Sequence, residues 1–389
     1  MKENTTIVIV ARSLPLHGIG GMEVVCWDLC SGLAERGYKV IVITTKLPYK
    51  INNVIHENVQ IVSLEKTKPG RYSQRWWREV SKYFATLDSE TISAVISISA
   101  AGVSLLKYRE KFNNTKFIMQ AHGTSFAELV SKLKTNSLKK WVASGKNLIW
   151  FFKDWSYYRK FDYVVSIGDA VTESLKTYPT KYITKDVEIV QIDNGVNQDM
   201  FRFNEEARKK TRSTLGMSND ALLLLSVSRL NDQKGIDNNI RTFAEVYSKN
   251  SNSYYLICGD GEEKKNLINI CRELNVEKNV IFLGRMSREE IADLMSAADV
   301  FIFLTKRVEG LPLNVLEAMA SGLPVIISEH LYFNENQKIR KSNFSDFNKA
   351  AGLVKELSSL GRPENRESHI AINNTLNYSV EKYCDLIAR

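Results

Sequence analysis

Val300-Phe-Ile-Phe-Leu-Thr-Lys-Arg-Val-Glu-Gly-Leu-Pro-Leu-Asn-Val-Leu-Glu-Ala-Met-Ala-Ser-Gly-Leu-Pro-Val-Ile-Ile-Ser328 holds one complete structural repeat. Residues 300–304 and 324–328 are short apolar runs rich in β-branched and aromatic side chains, which read as buried strands. Between them, residues 314–321 read as a helix, with Pro312 suited to its first turn. A strand, a helix and a second strand at this spacing give a parallel pair with its crossover on one face.

The same rhythm extends in both directions. Upstream in the second half, 222–228, 254–258 and 280–283 read as strands, with helices near 232–248, 262–274 and 287–297. The first half has strands at 7–11, 40–44, 59–64, 94–99, 116–121, 163–167 and 188–192, and a helix at 22–36. Between the halves, Asp193-Asn-Gly-Val-Asn-Gln198 carries an Asn-Gly turn signal, and the polar run Asn204–Arg212 reads as connector. The chain of 389 residues is too long for one core. The expected domains are 1–198 and 199–376. A final helix, 377–389, completes the chain.

Composition excludes several classes. Hydrophobic residues make up 44% and charged residues 25%, as in a folded globular chain, and no run reaches the ~20 apolar residues that span a bilayer. The apolar run Ile7–Ala11 is too short for a signal peptide and is followed by Arg12. Five cysteines without C-x-x-C spacing argue against a disulfide framework or zinc site, and Cys26 and Cys30 fit core packing better than ligation. A cytoplasmic location is expected, at most peripheral on the inner membrane face.

Charge is uneven: residues 1–200 hold 27 Lys+Arg against 19 Asp+Glu, and residues 201–389 hold 26 against 25. Within the basic half, Arg71-Tyr-Ser-Gln-Arg-Trp-Trp-Arg78 and the segment 131–160 interleave cations with aromatic rings. That mixture suits an anionic membrane surface. A solvated helix pair whose rings pack on the domain is the competing reading, and nucleic acid is not expected as a partner.

Three loops carry chemistry. Gly18-Ile-Gly20-Gly21-Met-Glu23 opens a helix after the first strand, where glycines let backbone amides approach a phosphate; a plain loop-to-helix turn has the same pattern. Ser226-Val-Ser-Arg229-Leu-Asn-Asp-Gln-Lys234-Gly235 places two cations beyond a parallel strand, where they can clamp a diphosphate leaving group. In the opening stretch, Glu309 suits a sugar hydroxyl and Glu317 a ribose diol, with the amides of Gly310, Leu311 and Leu313 nearby. Alternatively, Glu317 meets an unseen cation and Glu309 is a surface residue. His122, Gly259 in Cys-Gly-Asp-Gly, and Met286 after Gly284-Arg285 also follow strands and face the same way, as ligand groups or as ordinary turn and core residues.

Taken in order, these motifs resemble glycosyltransferase family 4, the retaining family of GT-B architecture. The resemblance runs from Gly20-Gly21-Met-Glu23 through Asn194-Gly-Val196, Ser228-Arg229-Leu and Lys234-Gly235 to Glu309-Gly…Glu317 and Ala318–Val325. It implies an α/β fold of two Rossmann-like domains whose parallel sheets face across a cleft. It further implies that Arg229 and Lys234 hold the donor diphosphate, Glu317 the ribose and Glu309 the sugar ring. His122 would meet the sugar from the opposite domain, Gly21 a phosphate, and the last helix would cross back to the first domain. Asn197 departs from the usual Asp, and no D-x-D sequence occurs, consistent with donor binding without a metal. The implied reaction moves a sugar, most readily from a UDP-sugar, to a hydroxyl of a glycan or lipid-linked acceptor. The nucleotide-sugar is substrate, and no cofactor is expected. A nucleotide-sugar epimerase and a non-catalytic nucleotide-sugar-binding protein are the rival readings.

Overall fold

The computed structural model describes residues 5–18, 20–48, 56–123 and 156–389, so most of the basic segment 131–160 lies outside the described residues. The chain forms two compact units, Met1–Gly195 with Leu376–Arg389, and Val196–Thr375. The boundaries thus fall within a few residues of Gln198 and at the start of the final helix.

The first unit is built on β1 (Thr6–Val10), β2 (Lys39–Thr45), β3 (Val59–Leu64), β4 (Ile92–Ile98), β5 (Lys116–Ala121), β6 (Tyr163–Ser166) and β7 (Glu188–Gln191). They form one sheet in the order β3-β2-β1-β4-β5-β6-β7, every pair parallel. Every residue of β1 is buried, because side chains alternate between two covered faces. Ile7 and Ile9 pack with α1 (Gly21–Glu35) and the final helix, here α10 (Leu376–Ala388), which supplies Val380, Tyr383 and Leu386. Val8 and Val10 face the other way, toward α2 (Gln74–Phe84). A further helix, α3 (Asp169–Lys176), follows β6.

That second face alters the reading of residues 71–78. Ser73 caps α2, and its first turn carries Trp76 fully into the core, where the indole N–H donates to Ala101 O at 3.1 Å. Arg71, Gln74, Arg75 and Arg78 stay exposed, whereas the Trp76 ring is unavailable to a membrane surface.

The second unit repeats the plan with β8 (Leu222–Val227), β9 (Ser253–Cys258), β10 (Val280–Gly284), β11 (Val300–Phe303), β12 (Val325–Ser328) and β13 (Ile339–Ser342). The order is β10-β9-β8-β11-β12-β13, again all parallel. Helices α4 (Glu205–Thr214), α5 (Ile236–Tyr247), α6 (Lys264–Glu273), α7 (Arg288–Ala297), α8 (Leu313–Ala320) and α9 (Phe347–Leu357) complete it. In each sheet the chain builds outward from a central strand, then returns to build on the other side. The reversal lies between β1 and β4 in one unit and between β8 and β11 in the other, and leaves a crevice at the carboxyl ends of those strands.

Three sequence expectations need correction. The run Asn204–Arg212 is not connector: Asn204 caps α4, whose inward face consists of Arg208 and Arg212. Strand β13 and helix α9 were not foreseen, since Ile-Arg-Lys-Ser has little apolar signal. The helix expected at 232–248 is a separate 3-10 turn, Asp232–Lys234, followed by α5.

The arginines of α4 meet Asp299, the residue before β11. Arg208 Nη2 donates to Asp299 Oδ1 at 2.6 Å and Arg212 Nη2 to Oδ2 at 2.8 Å, while Leu223 N–H donates to Oδ2 at 2.9 Å. Arg366 lies in the same cluster, and burial lowers its pKa to about 9. The surplus cations donate to carbonyls of Met295, Ser296, Ala297 and Ala298 at the end of α7 and of Ser321 at the end of α8. Helix carboxyl ends carry partial negative charge, so one carboxylate is enough for three guanidinium groups.

Candidate functional site

The crevice of the second unit gathers the loops after β8 and β11. Arg229 follows β8 and is exposed, and its side chain makes no hydrogen bond or ion pair among the described residues, while its carbonyl accepts from Asn231 N–H. Lys234 closes the 3-10 turn that Asn231 caps, and Gly235 next to it has φ +67°. A Cβ at Gly235 would collide with Leu304 O, so only glycine lets this loop rest on the end of β11. Thr305 Oγ1 and Lys306 N–H both donate to Gln233 O, and Lys306 Nζ bridges Asp232 and Asp237 at 3.0 and 2.9 Å. The two loops are therefore stitched together before any ligand arrives.

Within this frame Lys234 Nζ donates to Glu309 Oε1 at 2.7 Å, with side chains 16% and 13% exposed. The ammonium also lies 5.5 Å from the Phe303 ring centre. Gly310 and Leu311 form the half-buried turn that follows, and Leu313 opens α8, where helix amides have no partner inside the helix. Asn314 Nδ2 donates to Val227 O at 2.7 Å and fixes the start of α8 on the end of β8. The sequence reading missed Asn314, though its place inside the Glu309–Glu317 segment was a usable signal.

Glu317 is buried in α8 with Arg288 Nη2 3.9 Å from Oε1. Arg288 is the cation that the sequence left unnamed: it opens α7 behind the Ser287 and Glu290 capping box, and its guanidinium lies 5.6 Å from the Phe201 ring.

The loops after β9 and β10 continue the same edge. Gly259 (φ +137°) has no room for a Cβ beside Ser228 O, its N–H donates to Gly284 O at 2.7 Å, and Leu230 N–H donates to Asp260 O at 2.9 Å. Met286 follows, half-buried. Arg229, Lys234, Gly259, Met286, Glu309, Gly310, Leu311, Leu313 and Glu317 thus lie along one edge of one sheet.

Gly20, Gly21 and His122 lie on the corresponding edge of the first unit. Gly20 caps α1 in an extended conformation and Gly21 is its exposed first residue. Glu23 in that first turn accepts from Ser13 Oγ at 2.7 Å. His122 follows β5 with Nε2 2.8 Å from Gln120 Oε1, while Gln120 Nε2 donates to Tyr383 OH at 2.7 Å. Burial lowers the His122 pKa to about 4, so the ring is neutral near pH 7. With Gln120 oriented so, Nε2–H donates to Oε1 and Nδ1 is left as the acceptor nitrogen. Cys26 and Cys30 are both buried in the core beside α10. Among the described residues no cluster of His, Cys, Asp and Glu is arranged to hold a metal ion, and no helix is long and apolar enough to cross a membrane.

Two doubly wound parallel units, with cations and carboxylates at the switch point of the second, define a glycosyltransferase of GT-B fold. Residues 207–373 match the glycosyl transferases group 1 family, and residues 19–199 match glycosyltransferase family 4. Both matches, one in each half of the chain, are to glycosyltransferases, so the chain is a glycosyltransferase. It is 23% identical to N-acetyl-alpha-D-glucosaminyl L-malate synthase of Bacillus anthracis over 79% of this chain and 75% of that one. It is 26% identical to alpha-monoglucosyldiacylglycerol synthase of Acholeplasma laidlawii over 88% and 85%. Anabaena HepE, solved in complex with UDP and glucose, superimposes with a TM-score of 0.73 at 14% identity, covering 99% of each chain.

Proposed function

We propose that this glycosyltransferase takes its sugar from a UDP-sugar and transfers it, with retention and without a metal, to a hydroxyl of a glycan or lipid-linked acceptor at a membrane surface. The observation that carries the reading is the Lys234–Glu309 pair, 2.7 Å apart at the β8/β11 switch point with the unpaired Arg229 on the same loop. A diphosphate entering there exchanges one carboxylate partner of Lys234 for phosphate oxygens and meets Arg229 as a second donor. Glu309, so released, accepts from a sugar hydroxyl, and Glu317 accepts from the ribose.

The acceptor oxygen attacks the anomeric carbon from the face that the diphosphate leaves. The new C–O bond forms as the bond to phosphate breaks, the electron pair goes to the diphosphate, and the acceptor proton passes to a phosphate oxygen. Fixed cations stabilise the charge that develops on the leaving group, which is why the site needs them more than a strong base. The UDP bound to the Anabaena protein and the lipid product named for the Acholeplasma relative favour these choices of donor and acceptor.

Incubation with a panel of UDP-sugars and a membrane-lipid extract, followed by NMR of the product anomeric centre, tests the proposal. It predicts one preferred UDP-sugar, a product with the donor's anomeric configuration, and full activity in excess chelator. An inverted product, or conversion of donor to an epimer without acceptor, would overturn it.

A further inference from the structure

The run Arg71–Arg78 builds a feature that donor binding does not use. Tyr72 and Trp77 stack with ring centres 5.7 Å apart and planes 11° from parallel, and the Arg12 guanidinium carbon lies 5.0 Å from the Tyr72 ring centre. The guanidinium thus lies over a phenol that is itself stacked with the indole. Trp77 Nε1–H donates to Ala100 O at 3.2 Å, Tyr72 O–H reaches Ile98 O at 3.5 Å, and Thr45 Oγ1 donates to Arg12 O at 2.6 Å. Arg12 lies just past β1 and Ile98 ends β4, so the stack sits on the switch point of the first sheet.

Among the described residues the guanidinium has no anion. Its Nε is buried without a hydrogen-bond partner, and it forms no ion pair among the described residues. Glu23 accepts from Ser13 instead. A buried N–H without an acceptor costs about 1–3 kcal/mol, and a planar guanidinium laid on an aromatic face is preorganised for two-point contact with a carboxylate or phosphate. Burial raises the Tyr72 pKa to about 12, so the phenol stays neutral and does not serve as the counter-ion.

We propose that Arg12, held on the Tyr72–Trp77 platform, binds a carboxylate or phosphate group carried by the acceptor. This rests on the transferase reading above. Arg229 and Lys234 of the other unit take the donor diphosphate, which leaves Arg12 for an anion that the second substrate brings. The basic surplus of residues 1–200, 27 against 19, draws such a substrate to this half of the chain.

The test is calorimetric titration of the UDP-saturated protein with inorganic phosphate and, separately, with L-malate as a carboxylate probe. At least one anion should bind saturably, and the stronger of the two identifies the group. Arg12→Gln should weaken it about tenfold or more, and Tyr72→Leu and Arg12→Lys should weaken it several-fold, because neither keeps a flat fork on a ring. UDP affinity should be the same in all three variants. Equal anion affinity in Arg12→Gln, no saturable binding to the wild-type protein at tens of millimolar, or anion binding that only displaces UDP would each overturn the proposal. If UDP itself fails to bind, the donor reading fails, and the same titrations on the nucleotide-free protein still decide the role of Arg12.

Discussion

Strand β11 has a carboxylate beyond each end, and the two are treated oppositely. Asp299, before the strand, is fully buried and its oxygens are taken by Arg208, Arg212 and the Leu223 amide. Glu309, beyond the other end, holds one partner, Lys234, in a loop that still admits solvent, and Arg229 on the facing loop holds none. The amino edge of a parallel sheet has no ligand to serve, so its charges can be saturated for stability. At the carboxyl edge, charges must keep capacity for a substrate, and the fold supplies rigidity through neutral stitches such as Asn314 to Val227 and Thr305 to Gln233.

The largest effect should come from breaking the saturated end. Asp299→Ala leaves two arginines buried without their anion, which costs about 3–5 kcal/mol; urea unfolding should show a lower midpoint or loss of the folded second unit. A loss under about 1 kcal/mol would mean that the helix-end carbonyls alone satisfy the arginines.

Next, Arg229→Ala should reduce turnover roughly a hundredfold, as loss of one leaving-group donor does. Being exposed and unpaired, Arg229 should leave the urea midpoint unchanged. Activity within a few-fold of wild type would remove it from the site.

The smallest effect concerns acid stability of the second unit. His369 donates to Leu323 O behind α8, and burial, with Lys338 and Arg366 nearby, lowers its pKa to about 4. The unfolded chain takes up this proton near pH 6.5, so stability contributed by the neutral ring is present above that pH and is lost as pH falls toward 4. His369→Gln should flatten that part of the stability curve; an unchanged slope would place the effect elsewhere.

The open end of β11 was largely legible in sequence, and the saturated end was not. Glu309, Lys234 and Arg229 stand in loops directly after apolar strands, where a charge or a glycine breaks the pattern visibly. Arg208 and Arg212 disguise α4 as a polar connector, because the inward face of that helix is charged and Asp299 is 87 residues from Arg212. Strand β13 is short and half polar, and it is defined only by pairing with β12. Residues 71–78 showed their composition but not their geometry. That Trp76 goes to the core while Tyr72 and Trp77 support Arg12 depends on β1 and β4, which lie outside the segment.

The central claim is that the carboxyl edge of the second sheet holds the donor diphosphate. Calorimetric titration of UDP into the wild-type protein and the Arg229→Ala/Lys234→Ala double variant tests it most directly. The account predicts saturable binding to the wild-type protein, weakened at least about tenfold in the variant, with the urea midpoint little changed. Equal UDP affinity in the two proteins would contradict it.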